Sequence, residues 1–478
     1  MTRLILLAHR YLGIALGLIV LIWCLSGIVM MYVQYPALTP EDEVRTLDAL
    51  DLTRCCTVPS VAEVGERPSR IRIEMLDGRP VLRVWHGRTP AYWDLRAGKR
   101  LGPLDEVDAL AVAERFAANA GIAEFTRAGL MPRDQWTVYG AYDPYRPFYK
   151  FAGSDSDATQ WYVSSRTGDV MQATNGRERF WNWLGAVPHW LYPTVLRQHT
   201  QLWSQIVIWL TIFGTFLTVL GVYIGLRQYK SRRSGRYSPY RGAALWHHYA
   251  GLVFGVFTLL WLVSGFFSMT PWGTLEGRSF AAESARLRGG DLRIDQDFTD
   301  TLTALAHQSL PTDTVRLEAH KIGGEQFLVA WDRHGGRERI DRGHAQGNHA
   351  SEPDFVAASR ALRPGMGIRE MGWLQTADSY YYDHHDVRPF PVYRIVYEDG
   401  ERFYLDPLTA ELLFAVDTDR RLYRWLHYGL HRGDFAFLRK RPLWDAVMVT
   451  LLGGVTIGVA TGVLMGFRRI SRWKARMN

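Results

Sequence analysis

The chain has 478 residues, 47% of them hydrophobic, and a formal charge of +8 from 56 Lys and Arg against 48 Asp and Glu. Its three cysteines form no CxxC or CxxCH pair, which excludes a haem attached through that motif and a four-cysteine iron–sulfur or zinc site within one chain. The excess of basic residues gathers beside long apolar runs, so it reads as membrane topology and not as a nucleic-acid footprint.

The first such run, 11–33, contains no Asp, Glu, Lys or Arg, and the same holds for 202–226, 245–270 and 446–467. Each is about the ~20 residues a helix needs to cross a hydrocarbon core. The first run is followed by Gln34-Tyr35-Pro36 with no small-x-small cleavage site, so it reads as an anchor and not a signal peptide. Arg3 and Arg10 precede it, Arg227, Lys230, Arg232, Arg233, Arg236 and Arg241 follow the second run, and Arg468, Arg469, Arg472, Lys474 and Arg476 follow the fourth. The positive-inside rule places these segments in the cytoplasm of a bacterial inner membrane and the two large remaining segments in the periplasm.

The expected fold class is an α-helical membrane bundle of four spans in two parallel repeats, with large periplasmic α+β lobes. The first span with its N-terminus occupies 1–33, lobes one and two occupy 34–176, and an interfacial helix 177–201 leads to the second span, 202–226. A basic cytoplasmic linker, 227–244, precedes the third span, 245–270. Lobes three and four, 271–418, and an interfacial helix, 419–443, then lead to the fourth span, 444–467, and a basic tail, 468–478. Alternating apolar residues predict strands at 70–75 and 81–85 around the turn Asp77-Gly78, with 91–101 continuing the sheet. A helix is predicted over 107–119, then strands at 135–139, 148–152, 160–164 and 170–171. In the second half, strands are predicted at 327–331, 338–340, 392–397 and 402–405, and a helix at 355–361. Cys55 and Cys56 are neighbours, a spacing that strains a mutual disulfide.

The halves resemble each other residue by residue. His9-Arg10-Tyr11-Leu12-Gly13 opens the first span, followed by Gly17, Trp23, Ser26 and Gly27. His247-His248-Tyr249-Ala250-Gly251 opens the third, with Gly255, Trp261, Ser264 and Gly265 in the same places. Arg146-Pro147-Phe148, Trp183 and His189 recur as Arg388-Pro389-Phe390, Trp425 and His431. Two copies inserted in the same orientation are related by an axis along the membrane normal.

The patterns HRYLGIALG…LSG, YVSSRTGDV, HHYAGLVFG…LVSGFFSM and WLHYGLHRGDF…RPLWD resemble those of the PepSY-associated transmembrane proteins over nearly the whole chain. That resemblance implies PepSY-like lobes. It also points to inner-membrane reductases of periplasmic ferric siderophores, with haem held between the spans. PepSY lobes elsewhere accompany peptidase inhibition, so a membrane-anchored sensor or peptidase-regulating binding protein is the alternative. A permease for iron or peptide is a third, opposed by the scarcity of polar groups in the spans.

A flat cofactor on the two-fold axis takes one axial ligand from each half, so equivalent histidines ligate one iron. His9 and His247 form the candidate pair on the cytoplasmic side, and His189 and His431 the pair on the periplasmic side; His248, His427 and His199 are alternates. Two b-type haems so held suit electron transfer, because two protein ligands leave no open position for oxygen. Each imidazole then needs an acceptor for its other N–H. His384 and His385, flanked by Asp383 and Asp386, are candidates for substrate contact, although strand alternation turns adjacent side chains to opposite faces. Glycines at four-residue spacing, such as Gly221/Gly225 and Gly454/Gly458/Gly462/Gly466, suit close helix contact or room for a porphyrin. No GxGxxG after a strand, Walker A, HExxH or GxSxG motif occurs, so electrons must come from a cytoplasmic donor. The expected partners are that donor, membrane lipid and a ferric siderophore or related chelate, with no nucleic acid.

Overall fold

The computed structural model describes residues 2–53, 55–230, 237–308, 310–341, 344–346, 350–384 and 387–475. His385 and Asp386, the linker residues Arg232, Arg233 and Arg236, and Arg476 of the tail lie outside the described residues.

Four helices, Thr2–Met30, Thr200–Gln228, Ala243–Ser268 and Leu443–Lys474, are long and apolar enough to cross a membrane. Apolar side chains all round suit a lipid surroundings, and the helix satisfies every mid-span amide internally. Each span packs on two neighbours, in the order first, second, third, fourth and back to the first. Small residues allow this closeness: a Cβ on Gly454 would lie 2.4 Å from the Phe254 ring, and one on Gly17 would lie 3.1 Å from Val463. The fourth helix runs past its predicted end at 467 to Lys474, because Arg468, Arg469 and Arg472 are good helix formers and nothing in 468–474 breaks the backbone.

Outside the spans, the described residues form three antiparallel sheets with short helices. Strands Phe125–Met131, Phe148–Gly153, Gln160–Ser164 and Val170–Thr174 form one, against which the helix Glu106–Asn119 buries Val112, Ala113 and Phe116 on Phe151 and Trp161. Asp105 caps that helix by accepting the Asp108 N–H. Strands Ile368–Leu374, Val392–Tyr397, Arg402–Leu405 and Leu412–Val416 form its counterpart, with Phe355, Ala358 and Leu362 of helix Glu352–Leu362 packed on Tyr393 and Phe403.

The third sheet joins the halves. Strands Arg70–Leu76, Arg79–His86, Thr89–Asp94 and Lys99–Arg100 continue, through Thr314–Ile322, into Glu325–Asp332, Arg337–Asp341 and His344–Gln346 as one eight-stranded sheet. The lobes predicted as separate at 34–176 and 271–418 are therefore bonded through their first sheets. At the seam, Arg72-Ile73-Glu74 runs antiparallel to Arg316-Leu317-Glu318, so Arg72 faces Glu318, Ile73 faces Leu317 and Glu74 faces Arg316. Glu74 is 1% exposed and ion-pairs with Arg316, with Arg83 at 3.1 Å and with Arg72 at 3.5 Å. Glu43 adds contacts of 2.8 Å to Arg316 and 3.3 Å to Arg72. Burial alone would raise the Glu74 pKa, but Arg316, Arg83 and Arg72 outweigh it and hold the carboxyl below its usual range.

Some local expectations differ from what the fold contains. Residues 135–139, expected as a strand, hold the 3-10 turn Gln135–Thr137. Asp134 accepts the Trp136 N–H there, and the Gln135 amide reaches the Tyr192 carbonyl at 2.8 Å. Strands Phe125–Met131, Thr314–Ile322, Ile368–Leu374 and Leu412–Val416 were not among those expected; Thr314–Ile322 does alternate Val315, Leu317 and Ala319 with Arg316, Glu318 and His320, whereas Phe125–Met131 and Ile368–Leu374 are exposed edges with mixed residues on both faces. The segments expected as single interfacial helices, 177–201 and 419–443, are broken. The first consists of Gly176–Leu184, Ala186–His189 and Thr194–Arg197, and the second begins as Thr418–Tyr423 followed by a π-helical turn, Arg424–Gly429. Cys55 and Cys56, despite their adjacency, are joined in a vicinal disulfide packed against the core of the joined sheet.

Candidate functional site: two histidine pairs in the bundle

The ring of four spans puts the first and third on opposite sides of a common centre. His9 on the first and His247 on the third therefore meet, with ring centroids 6.1 Å apart. At the other end, His189 and His431 enter from the broken segments that precede the second and fourth spans, with centroids 6.2 Å apart. With metal–imidazole bonds of about 2 Å, two rings holding one metal from opposite sides have centroids about 6 Å apart.

All four rings are held alike. His9 Nδ1 lies 3.1 Å from the Leu217 carbonyl oxygen of the second span, and His247 Nδ1 lies 2.8 Å from that of Gly458 in the fourth. His189 Nδ1 lies 3.1 Å from the Trp23 oxygen and 3.2 Å from Ser26 Oγ. His431 Nδ1 lies 3.0 Å from Ser264 Oγ. The hydroxyls of Ser26 and Ser264 donate to the Ile22 and Trp261 carbonyls, so their oxygens are free to accept. A carbonyl can only accept, so the proton sits on Nδ1 and the lone pair on Nε2. These contacts supply the acceptors that a pair of ligating imidazoles requires and fix each ring's tautomer and orientation.

Glycine makes room for the rings of the first pair. A Cβ on Gly221 would lie 2.6 Å from His9 Cε1, and one on Gly462 would lie 3.0 Å from His247 Cε1. Gly27 and Gly265 face His189 and His431 at the equivalent places, where a Cβ would make ordinary contact at 3.4 and 3.7 Å. Gly221, Gly462 and Gly27 each follow by four residues the carbonyl that takes the Nδ1 proton, one helical turn along the same face. His189 and His431 are positioned by breaks in helix. Gly185 lets its backbone lie against the first span, where a Cβ would meet Val29 at 2.9 Å. The π-helical turn Arg424–Gly429 precedes His431, whose carbonyl accepts the Trp261 indole N–H at 3.1 Å. Such turns recur at functional sites because they re-aim side chains.

A cavity of about 680 Å³ surrounds the second pair, walled by Trp23, Met31, Trp190, Trp203, Trp261 and Trp444. That volume suits a large, mostly apolar ligand. Between the two pairs the bundle is filled by Val20, Cys24 and Val455 with Trp23, Phe254, Phe257 and Trp261 packed around them. About 27 Å of helix rise separates His9 from Gly27.

The alternates are placed differently. His248 has both nitrogens engaged, Nδ1 with Ser238 Oγ at 2.8 Å and Nε2 with the Gly225 carbonyl at 2.9 Å, which leaves no lone pair for a metal. His199 is exposed at the start of the second span. His427 lines the cavity 5.2 Å from the His431 ring, and its buried Nδ1 has no hydrogen-bond partner among the described residues. His384 Nδ1 is 2.5 Å from Asp434 and its ring packs edge-on against Trp444. Among the described residues no three His, Cys, Asp or Glu side chains are grouped to hold a metal ion. The donors come in twos, which suits an ion whose other positions are filled by a macrocycle.

Four membrane-length helices bearing three antiparallel sheets describe a multi-pass membrane protein with α+β lobes. The family model described as the PepSY-associated TM region matches residues 6–469, and the chain belongs to that family. No curated protein matches the sequence. The residues that hold the rings were present in the matched halves as Ser26-Gly27 and Ser264-Gly265. They were visible as a recurrence, but the recurrence did not say which histidine each would meet.

Proposed function

We propose that the protein is an inner-membrane electron conduit that holds two b-type haems and reduces a periplasmic ferric chelate of the siderophore class, releasing Fe(II). The observation that carries this reading is the pair of imidazole couples, with ring centroids 6.1 and 6.2 Å apart, each ring with Nδ1 against an acceptor so that the lone pair is left on Nε2. Bound between such imidazoles, haem supplies reversible one-electron chemistry with no vacant coordination site. His9 and His247 stand at the span ends that carry Arg3, Arg10 and Arg227, where a cytoplasmic donor delivers electrons. His189 and His431 stand on the lobe side, where the electron leaves for the ferric ion. Fe(III) gains one electron per turnover, and the weaker hold of hard oxygen ligands on Fe(II) frees the metal.

The reading of the halves as parallel repeats is supported by the antiparallel seam at Ile73 and Leu317 and by the matched glycine–histidine contacts. Trp23, Phe254, Phe257 and Trp261 pack around Val20, Cys24 and Val455 between the sites, so the intervening side chains are apolar. Valine at Gly221 would press its branches into the His9 ring and should leave about half the haem, by loss of the site on the basic side. Pyridine haemochrome content of that variant checks this.

The direct test of the function is an absorption spectrum of the detergent-purified protein, expressed with ample haem, before and after dithionite. A sharpened α band and about two haems per chain are expected. Oxidation of the reduced protein by a ferric hydroxamate or citrate chelate, with Fe(II) trapped by a chromogenic chelator, then establishes the reaction. A colourless preparation overturns the reading and leaves the lobes as a binding module.

A further inference from the structure

On the lobe side of the histidine cavity lies a second, smaller cleft of about 220 Å³, and the two share Tyr423 and Arg432 as a common wall. Arg388, Arg420, Arg424 and Arg432 line it against only two carboxylates, Glu276 and Asp434. Asp434 is already engaged, by His384 at 2.5 Å and by the Tyr382 hydroxyl at 3.0 Å. The cleft is therefore a recess in which four guanidinium groups outnumber two carboxylates.

Arg424 shows this most directly. It is 4% exposed; its Nε donates to the Ser379 carbonyl at 2.8 Å and its Nη2 to the Asp434 carbonyl at 2.5 Å. Its Nη1 is buried with no hydrogen-bond partner among the described residues. A buried guanidinium donor left unfilled is costly, and an oxyanion placed there relieves it with a charge-assisted bond. Arg388 lies over the Tyr381 and Phe414 rings and Arg432 over Tyr428, and neither has a carboxylate partner among the described residues. Aromatic faces hold these cations in place without neutralising them.

We infer that this cleft binds one arm of an anionic, oxygen-donor iron chelate of the carboxylate class, beside the His189/His431 pair. The inference rests on the reading of that pair as the electron exit. The cleft's volume admits a carboxylate-bearing arm and not a whole chelate, so the metal end stays toward the shared wall at Tyr423 and Arg432. The carboxylates of a porphyrin in the larger cavity share the same chemistry, and the test separates the two sources.

Gallium(III) citrate is the probe, because gallium matches the ferric ion in charge and size and accepts no electron here. It is titrated calorimetrically into the full chain in lipid nanodiscs, with haem content measured on the same preparations. The parent should bind it saturably, and Arg388→Gln should bind about tenfold more weakly at unchanged haem content. Arg424→Gln should lose at least as much; since Arg424 also ties two carbonyls, the partly exposed Arg388 variant decides if that protein does not fold. Absence of binding by the parent, or equal binding by parent and Arg388→Gln, overturns the inference. Loss of haem from Arg388→Gln also overturns it, because the arginines would then serve the porphyrin carboxylates. A haem-loaded protein that ignores gallium citrate sinks the cleft alone, and a haem-free protein that binds it sinks the conduit alone.

Discussion

Alanine at His431 should leave the purified protein with about half its haem, and alanine at His9 should remove the other half. The two pairs are well separated: His9 meets His247 across the bundle, and His189 meets His431 about 27 Å of helix rise away. Loss of one ring would leave its pair with a single imidazole, so the bis-histidine spectrum of that site should disappear. Chelate reduction should be abolished in both variants, since an electron path interrupted at either end carries no current. Alanine at His427 separates the alternatives on the lobe side. His431 has the Ser264 contact that sets a ligating tautomer and His427 has no partner at Nδ1, so His427→Ala should retain both haems. Alanine at His248, whose nitrogens both serve hydrogen bonds, should likewise leave haem content unchanged. Haemochrome counts and low-temperature spectra of the four variants check the whole set.

Alanine at Glu74 should destabilise the lobes by about 3–5 kcal/mol, the cost of removing one partner from a buried ionic cluster. The carboxylate is 1% exposed and serves Arg316, Arg83 and Arg72, and Arg316 and Arg83 are themselves buried at 1% and 2%. Its removal strands cations that water cannot reach, and only Glu43, Asp169 and Glu318 remain to offset them. Because this cluster lies at the seam between the two halves, the loss should appear as a lowered Tm of the lobes and as easier proteolysis between them, with the spans and their haem retained. The same contacts set an acid limit. Glu74 and Glu318 both titrate below the usual carboxylate range: burial acts to raise each, but the arginines around it prevail. Their contribution is complete above the unfolded-state pKa, about 4.3, and is lost as pH falls from there through the folded-state values. Thermal melts of the parent should weaken on acidification in that window, and the Glu74→Ala protein should weaken less.

The four spans were legible in the sequence because membrane insertion is a local demand. About 20 uncharged residues and a basic flank suffice to mark a helix, whatever the rest of the chain does. Strands 160–164, 392–397 and 402–405 were legible for a similar reason, since a short run of aromatic and β-branched residues bounded by turn signals marks a buried strand within a few residues. The matched halves also singled out His9, His247, His189 and His431 as equivalents, from residue identity alone. Tertiary structure decided what these residues touch. That His9 rests on Gly221 and shares its proton with Leu217, or that Ser264 holds His431, depends on which helices are neighbours and in what register, and such contacts join residues 167 to 208 positions apart. The fusion of the first and third lobes into one sheet hangs on three paired residues at a seam whose charges look, in sequence, like ordinary surface residues. The arginine-lined cleft is assembled from three separate segments, and the motif WLHYGLHRGDF in the last of them does not say which residues of the other two it meets. Local periodicity thus determined the elements and their membrane placement, whereas the close approach of distant backbones, made possible by glycine and fixed by buried charge, decided the site.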